Sequence, residues 1–481
     1  MIILGTNSIK DTGFNVDNSL RFNSGSSDYL TRTFGTPTSS QKWTLSFWVK
    51  RCKLGSTEFV FNTDGGNEED RLQFNSGDTL TWYEQNSSAG TDAELTTSQV
   101  FRDVSAWYHI VLARDSTQGT ASNRIKLYVN GSQVTALGAA TYPSQNDSSR
   151  WNTAVAHEIG ARNGGTFVNL YMAEVCFIDG SQLAADQFGE FDEDSGIWKP
   201  IDVSGLTFGD NGFYLDFENS GSLGADVSGN GNNFAVNNLT AVDQTTDTPT
   251  NNFATMNPLD NFYGNYTFSE GNCQVVSSSG DKAYVTSTLA VSKGKWYFET
   301  NISAMVTDER FLIGIAPRGA VEDDHPDSTA NGGINFSGFN AVINSQGSVI
   351  LNNFYGNNTT RFDGWTGIIG MALDLTDGSE QITFSKDGAW VTGSGTTSTT
   401  FASALQVDIS AKLNESTASG FWHLVVGEGN SSAAGTFQIN FGNPPFTISS
   451  GNTDGNGYGN FEYAVPSGYY ALNSKNLAEY G

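Results

Sequence analysis

The stretch Gly212–Asn238, GFYLDFENSGSLGADVSGNGNNFAVNN, opens with Phe213, Leu215 and Phe217 alternating with Tyr214 and Asp216. Apolar side chains at every second position put one face of a strand against a core. The segment Asp226-Val-Ser-Gly-Asn-Gly-Asn232 comes next. Its glycines permit positive φ and its Asn and Asp side chains bond to nearby backbone, so it reads as a turn. Phe234–Val236 is a second short strand, expected to close a hairpin with the first. The chain on either side reads as two different β-domains. The hairpin is therefore the closing piece of the first and the approach to the second.

Upstream, the same alternation recurs. Trp43–Lys50, WTLSFWVK, puts Trp43, Leu45, Phe47 and Val49 on one face and Thr44, Ser46, Trp48 and Lys50 on the other. Trp107–Ala113 reads as a central strand, and its partner Arg124–Asn130 ends in Asn130-Gly131, the strongest short hairpin signal. About a dozen such strands in roughly 200 residues is the spacing of a two-sheet jelly roll. Ala184–Phe188 is the one helical turn expected there.

Composition agrees. Of 481 residues, 54 are glycine and 10 proline, aromatics make up 12% and charged residues 16%. Gly, Ser, Thr and Asn disfavour helix interiors, so an all-β protein is expected. The 24 basic and 51 acidic residues give a formal charge of −27. Such a surface repels nucleic acid and anionic membrane, so neither is an expected partner. Three separated cysteines, Cys52, Cys176 and Cys273, argue against a disulfide framework or zinc site and for buried thiols. The first residues are too short an apolar run for a signal peptide, and no run reaches transmembrane length.

The order of the upstream motifs, FNSGSSDYL (Phe22–Leu30), WTLSFWVKR, AWYHIVLARD, RIKLYVNGSQV and NLYMAEVCFIDGSQLAADQF, resembles a laminin-G-like, concanavalin A-like jelly roll over residues 17–240. In that family a strand with an Asp-x-Ser-Gly-Asn-Gly-Asn turn opens the domain. Here it comes last, which implies a circular permutation in which Phe213–Phe217 pairs with residues 18–50 or 170–178. Downstream, GKWYFETNI (Gly294–Ile302), FLIGIAPRG, GIIGMALDLTDGSEQITFSKDGAW (Gly367–Trp390), FWHLVVGEG and FQINFGNPPF resemble the SPRY domain, a second β-sandwich, over 266–450. Residues 1–16 read as a docking arm, 241–265 as a linker, and 451–481 as an extended tail. The whole resembles marine bacteriophage virion proteins, a group that implies a structural or fibre role.

Candidate chemistry is sparse. A glucanase of this fold needs two carboxylates facing one groove, and no Glu-x-Asp-x-Glu run occurs in strand context. His109 and His423 lie in apolar strands and read as hydrogen-bonded structural residues. No cofactor is required. Calcium is the one candidate, through hard oxygen ligands in Asp64, Glu69 and Asp70 or in Asp226, Asn230 and Asn232, with ordinary polar turns as the alternative. For a glycan ligand the candidates are Trp82, Tyr83, Tyr142 and Trp151, because ring faces stack on sugars. In the SPRY-like region they are Asp323, Asp324, His325, Asp327 and Phe354-Tyr355. The expected function is a non-enzymatic virion protein on a tail fibre, tail tip or capsid surface that adheres to host-surface glycan or protein. Its partners would be other virion proteins and further copies of itself. The alternatives are a purely architectural decoration or joint protein and, more remotely, a polysaccharide hydrolase.

Overall fold

The structure, a computed structural model, describes residues 13–63, 68–85, 88, 90–262, 266–277, 283–304, 311–317, 327–328, 334–335, 341–344, 349–351, 354–356, 366–392, 396–410, 420–428 and 435–481. It is nearly all β and forms two units, one ending at Asn252 and the other starting at Phe253.

The first unit is a sandwich of two eight-stranded sheets. One sheet runs Ser132–Gln133, Ile125–Val129, Trp107–Asp115, Lys42–Arg51, Leu170–Asp179, Ser19–Phe22, Gln244–Thr245, with Phe213–Leu215 as its eighth strand, also on Leu170–Asp179. The other runs Leu137–Thr141, Thr91–Val100, Thr79–Gln85, Glu69–Phe74, Glu58–Thr63, Ala156–Ile159, Tyr29–Thr33, Ala235–Asn237. The face read as inward from WTLSFWVK is inward: Trp43, Leu45, Phe47 and Val49 are fully buried in the core. Trp43, Trp82 and Trp151 form its aromatic centre, with ring centroids 5.3 to 6.5 Å apart. Truncating any one of them to alanine costs about 3–5 kcal/mol.

Phe213–Leu215 pairs with Val175–Phe177, as the permutation requires. Ser19–Phe22 pairs with Leu170–Met172 of the same strand. The two short strands thus fill one lane beside Leu170–Asp179. Between them that strand carries a bulge, with Glu174 at φ 51. The hairpin itself is not formed. Ala235–Asn237 pairs with Tyr29–Thr31 of the opposite sheet, so the Gly212–Asn238 stretch crosses from one sheet to the other. Gly224 lies against the returning chain: Phe234 N donates to its carbonyl at 2.8 Å, and a Cβ there would lie 2.3 Å from the Phe234 carbonyl oxygen.

Trp48, on the outward side of its strand, meets a covering layer. It packs with Val16, Trp107 and Tyr171 and stacks 4.8 Å from His109. Residues 180–210 add a covering layer, and Val111, Ile178, Phe188 and Phe208 form a second apolar cluster against it. Two further expectations, the linker and the arm, are corrected. The stretch read as a linker is built in: Gln244–Thr245 pairs with Ser19–Leu20, and Asp247 is fully buried against Lys50. The described end of the arm, residues 13–16, also docks on its own unit, where Val16 N donates to Thr250 Oγ1 at 3.0 Å.

The second unit, residues 253–481, holds among its described residues a seven-stranded sheet and a ten-stranded sheet around a core that includes Trp296, Phe298, Ile313, Met371, Val426 and Phe437. Its tail is not extended. Ser474–Tyr480 is a helix capped by Asn473, whose side chain accepts from Asn476 N, and Leu477 enters the core. The tail is held by Glu299, a buried carboxylate that accepts from the backbone of Glu462 and Tyr463 and from Asn440.

Candidate ligand site

Glu69–Phe74 and Thr79–Gln85 are neighbours in the second sheet of the first unit, with Asp70 opposite Glu84. Leu72, Phe74, Leu80 and Trp82 point to the core. Asp70 and Glu84 share their parity, so each carboxyl ends an apolar row at one end of the sandwich. A loop closes over them: Ser149 Oγ and Trp151 N donate to Asp70 Oδ2 at 2.7 and 2.8 Å. Arg114 reaches across from the other sheet. Its Nε and Nη2 donate to Glu84 at 2.9 and 3.2 Å, and Nη2 also donates to Asp147 Oδ2 at 3.1 Å.

Asp70, Glu84, Asp147 and Ser149 line a cavity of about 270 Å³ together with Glu68, Asp92 and Arg150, and Arg114 backs Glu84 and Asp147 from behind. Arg150 pairs with Glu68 at 2.8 Å. Asp70 is only 2% exposed. Among the described residues nothing bonds to its Oδ1, which is not sealed from the cavity. Burial first, and the neighbouring Glu84 carboxylate second, push the Asp70 carboxyl well above the usual carboxylate range. The bonds from Ser149 and Trp151 and the charge of Arg114 offset this only in part.

The expected site residues fare unequally. Asp70 belongs to the cavity. Trp82 and Trp151 are core residues, 0% and 1% exposed, and present no ring face to a ligand. Trp82 alternates with Leu80 and Glu84, so the period of two already put it inside. Tyr83 does lie on the outward face, half-buried, but Arg71 covers its ring at 4.1 Å and its hydroxyl bonds Thr91. Tyr142 packs against the core. Glu69 is neutralised by Arg71 and Arg162, the latter at 2.7 Å. Asp64, Asp323, Asp324 and His325 lie outside the described residues. Asp327 pairs with Asn335 and Tyr355 with Ile350 in short strands. The residues missed were Glu84, Arg114, Asp147 and Ser149.

Calcium fares no better on these loops. Asp226 accepts from the backbone of Tyr214, Ser228 and Asn232. The Asn230 and Asn232 amides donate to the carbonyls of Gly209, Asp210 and Gly212, and Arg32 bonds Asn232 Oδ1. That is turn chemistry, with a cation already in place. Among the described residues no three His, Cys, Asp or Glu groups converge to hold a metal. His109 is structural as expected: Trp198 Nε1 donates to its Nδ1 at 3.0 Å, its Nε2 meets Ser46 Oγ at 2.9 Å, and burial lowers its pKa to about 3. His423 bonds the Ser287 carbonyl at 2.7 Å. Cys52, Cys176 and Cys273 are buried thiols, not disulfides. Among the described residues no helix is long and apolar enough to cross a membrane.

A sequence profile of the concanavalin A-like lectin/glucanases superfamily matches residues 24–186. No curated protein matches the chain. Among solved structures, the SPRY domain of human HERC1 is similar at 16% identity, over 38% of this chain and 96% of that one, with a TM-score of 0.27. A putative carbohydrate binding protein from Bacteroides ovatus is similar at 16% identity, over 47% of this chain and 59% of that one, with a TM-score of 0.34. A heptameric SAP-like pentraxin from Limulus polyphemus is similar at 14% identity, over 36% and 80%, with a TM-score of 0.28. With scores this low, the fold assignment stands on the strand order and the profile match: the first unit is similar to the concanavalin A-like lectin/glucanases superfamily.

Proposed function

We propose that this chain is a non-enzymatic adhesion protein of a phage particle that holds host-surface glycan at the end of its first sandwich. The observation that carries the reading is the cavity of about 270 Å³ on a lectin-like fold, walled by carboxylates, hydroxyls and an arginine. It is close to the smallest pockets that take small ligands, and its walls offer the donors and acceptors that sugar hydroxyls use. A single shallow site of this kind gives about −4 kcal/mol, near millimolar. Many copies on one particle raise that through effective concentration. The acidic net charge favours solubility and disfavours nucleic acid. The virion placement rests on the resemblance of the two adjoining sandwiches to phage virion proteins.

Two measurements test the reading. Antibody against this chain should label particles by electron microscopy. The purified protein should bind a glycan array, and Ser148→Trp, at the exposed rim of the cavity, should abolish that binding while the melting curve stays unchanged. Binding that persists in Ser148→Trp would move the site elsewhere, and tight binding only to capsid or tail proteins would replace adhesion by architecture.

A further inference from the structure

The charges around the cavity do not balance. Arg114 is shared between Glu84 and Asp147, and Arg150 is taken by Glu68. Asp70 has no ion pair among the described residues, and only one of its two oxygens is bonded. The Asp70 side chain is nine-tenths buried, but its Oδ1 is not sealed: it opens on the cavity, where water or a ligand donor would bond it. Two ligand classes would displace water there, a metal ion or a nitrogen cation. Calcium takes six to eight oxygens at about 2.3–2.6 Å, and no such convergence exists among the described residues. An ammonium has three N–H donors at ordinary hydrogen-bond length and can span acceptors spread over a larger space.

We infer that the cavity takes a primary ammonium group carried on a hydroxyl-rich ring, a glycan unit with a free amine, with Asp70 Oδ1 as its principal acceptor. This rests on the adhesion reading of the same cavity and adds the ligand class to it. The neighbouring groups have separate tasks: Ser148, Ser149 and Gln85 face the ring hydroxyls, and Asp92 at the edge adds negative potential. The charge of −27 on the whole chain draws a cation inward. Binding also moves a proton. Burial first, and the Glu84 carboxylate second, raise the Asp70 carboxyl pKa to about 8, with the Arg114 charge offsetting only part. The incoming ammonium stabilises the carboxylate, and the carboxyl proton leaves to solvent.

The test is titration calorimetry of the full chain at pH 7 in two buffers of different ionisation enthalpy. The probes are glucosamine, N-acetylglucosamine, lysinamide and calcium chloride. Glucosamine should bind with release of up to one proton. N-acetylglucosamine, whose nitrogen carries no charge, should bind at least about tenfold more weakly. Asp70→Asn should weaken glucosamine by a similar factor and remove the proton release. Should that variant fail to fold, Asp92→Asn should weaken glucosamine severalfold and leave N-acetylglucosamine unchanged. Equal binding of the two sugars, or glucosamine binding without proton release, overturns the inference. Binding of N-acetylglucosamine alone overturns it and leaves the adhesion reading standing. Lysinamide binding tighter than glucosamine keeps the ammonium seat but removes the glycan. Calcium displacing the proton would make this a metal site and overturn the inference.

Discussion

Asp247→Asn should destabilise the first unit far more than a change in a linker would. Lys50 Nζ lies 2.7 Å from Asp247 Oδ2, and the two side chains are 1% and 0% exposed. Trp107 Nε1 donates to Asp247 Oδ1 at 3.1 Å, and Asn252 Oδ1 accepts from the same ammonium at 2.8 Å. Asparagine keeps the shape and one acceptor but removes the charge. Stranding one member of a buried pair costs about 3–5 kcal/mol, against at most about 1 kcal/mol for an exposed pair. For a unit of this size each kcal/mol moves the melting temperature by about 2–4 °C, so the expected fall is on the order of 6–20 °C. Differential scanning calorimetry of the full chain reads this as a shift of one transition, with the other as internal reference. The double variant Lys50→Met/Asp247→Leu, which removes both charges, should recover most of the loss. A shift below about 2 °C in Asp247→Asn, or a double variant no better than the single, would refute the claim that this pair ties residue 247 into the sandwich.

The remaining expectations concern single side chains. Burial, with Asp216 and Glu218 nearby, raises the Glu174 pKa to about 8 against the bond from Tyr214. A raised carboxylate favours the folded state below its ordinary pKa of about 4.5 and loses that contribution as pH rises through 8. Glu174→Gln should therefore flatten the fall in stability between pH 5 and 8, measured by denaturant midpoints. His109 acts in the opposite sense: with its pKa held near 3, the unfolded chain alone takes a proton below about 6.5. Stability should fall as pH drops from 6.5, and His109→Phe should remove its share of that dependence, leaving that of His157, whose burial lowers its pKa to about 4, while costing about 1–3 kcal/mol for the stranded Trp198 N–H. Gly131→Ala should cost about 1–3 kcal/mol in thermal unfolding, because Gly131 sits at φ 78 and a Cβ there would lie 2.4 Å from the Trp198 ring. An unchanged melting curve would sink that reading of the turn.

Period-two alternation identifies strands because it reports which side of a pleated chain meets water. It was sufficient for WTLSFWVK, for the Asn130-Gly131 hairpin, where Val129 pairs with Ser132, and for the all-β class. It also carried more than was taken from it. Trp82 follows Leu80, and Asp70 precedes Leu72 and Phe74 at the same spacing, so both belonged inside. What alternation cannot report is a second layer. Trp48 was read as outward and is covered, because residues 180–210 and the chain near Val16 lie over that sheet. Nor can it report which strands share a sheet. Phe213–Leu215 and Ala235–Asn237 are close in sequence and sit in opposite sheets.

By itself the sequence determined the building material: alternating strands, glycine-rich turns, an acidic surface and histidines that belong to strands. The tertiary structure alone decided the site. Asp70, Glu84, Arg114, Asp147 and Ser149 come together only when two sheets close face to face, and their spacing along the chain carries no trace of it. The physical reason is range. Alternation is set by each residue's own neighbours, whereas a carboxyl's charge, partners and empty oxygen are set by groups that folding brings from elsewhere in the chain.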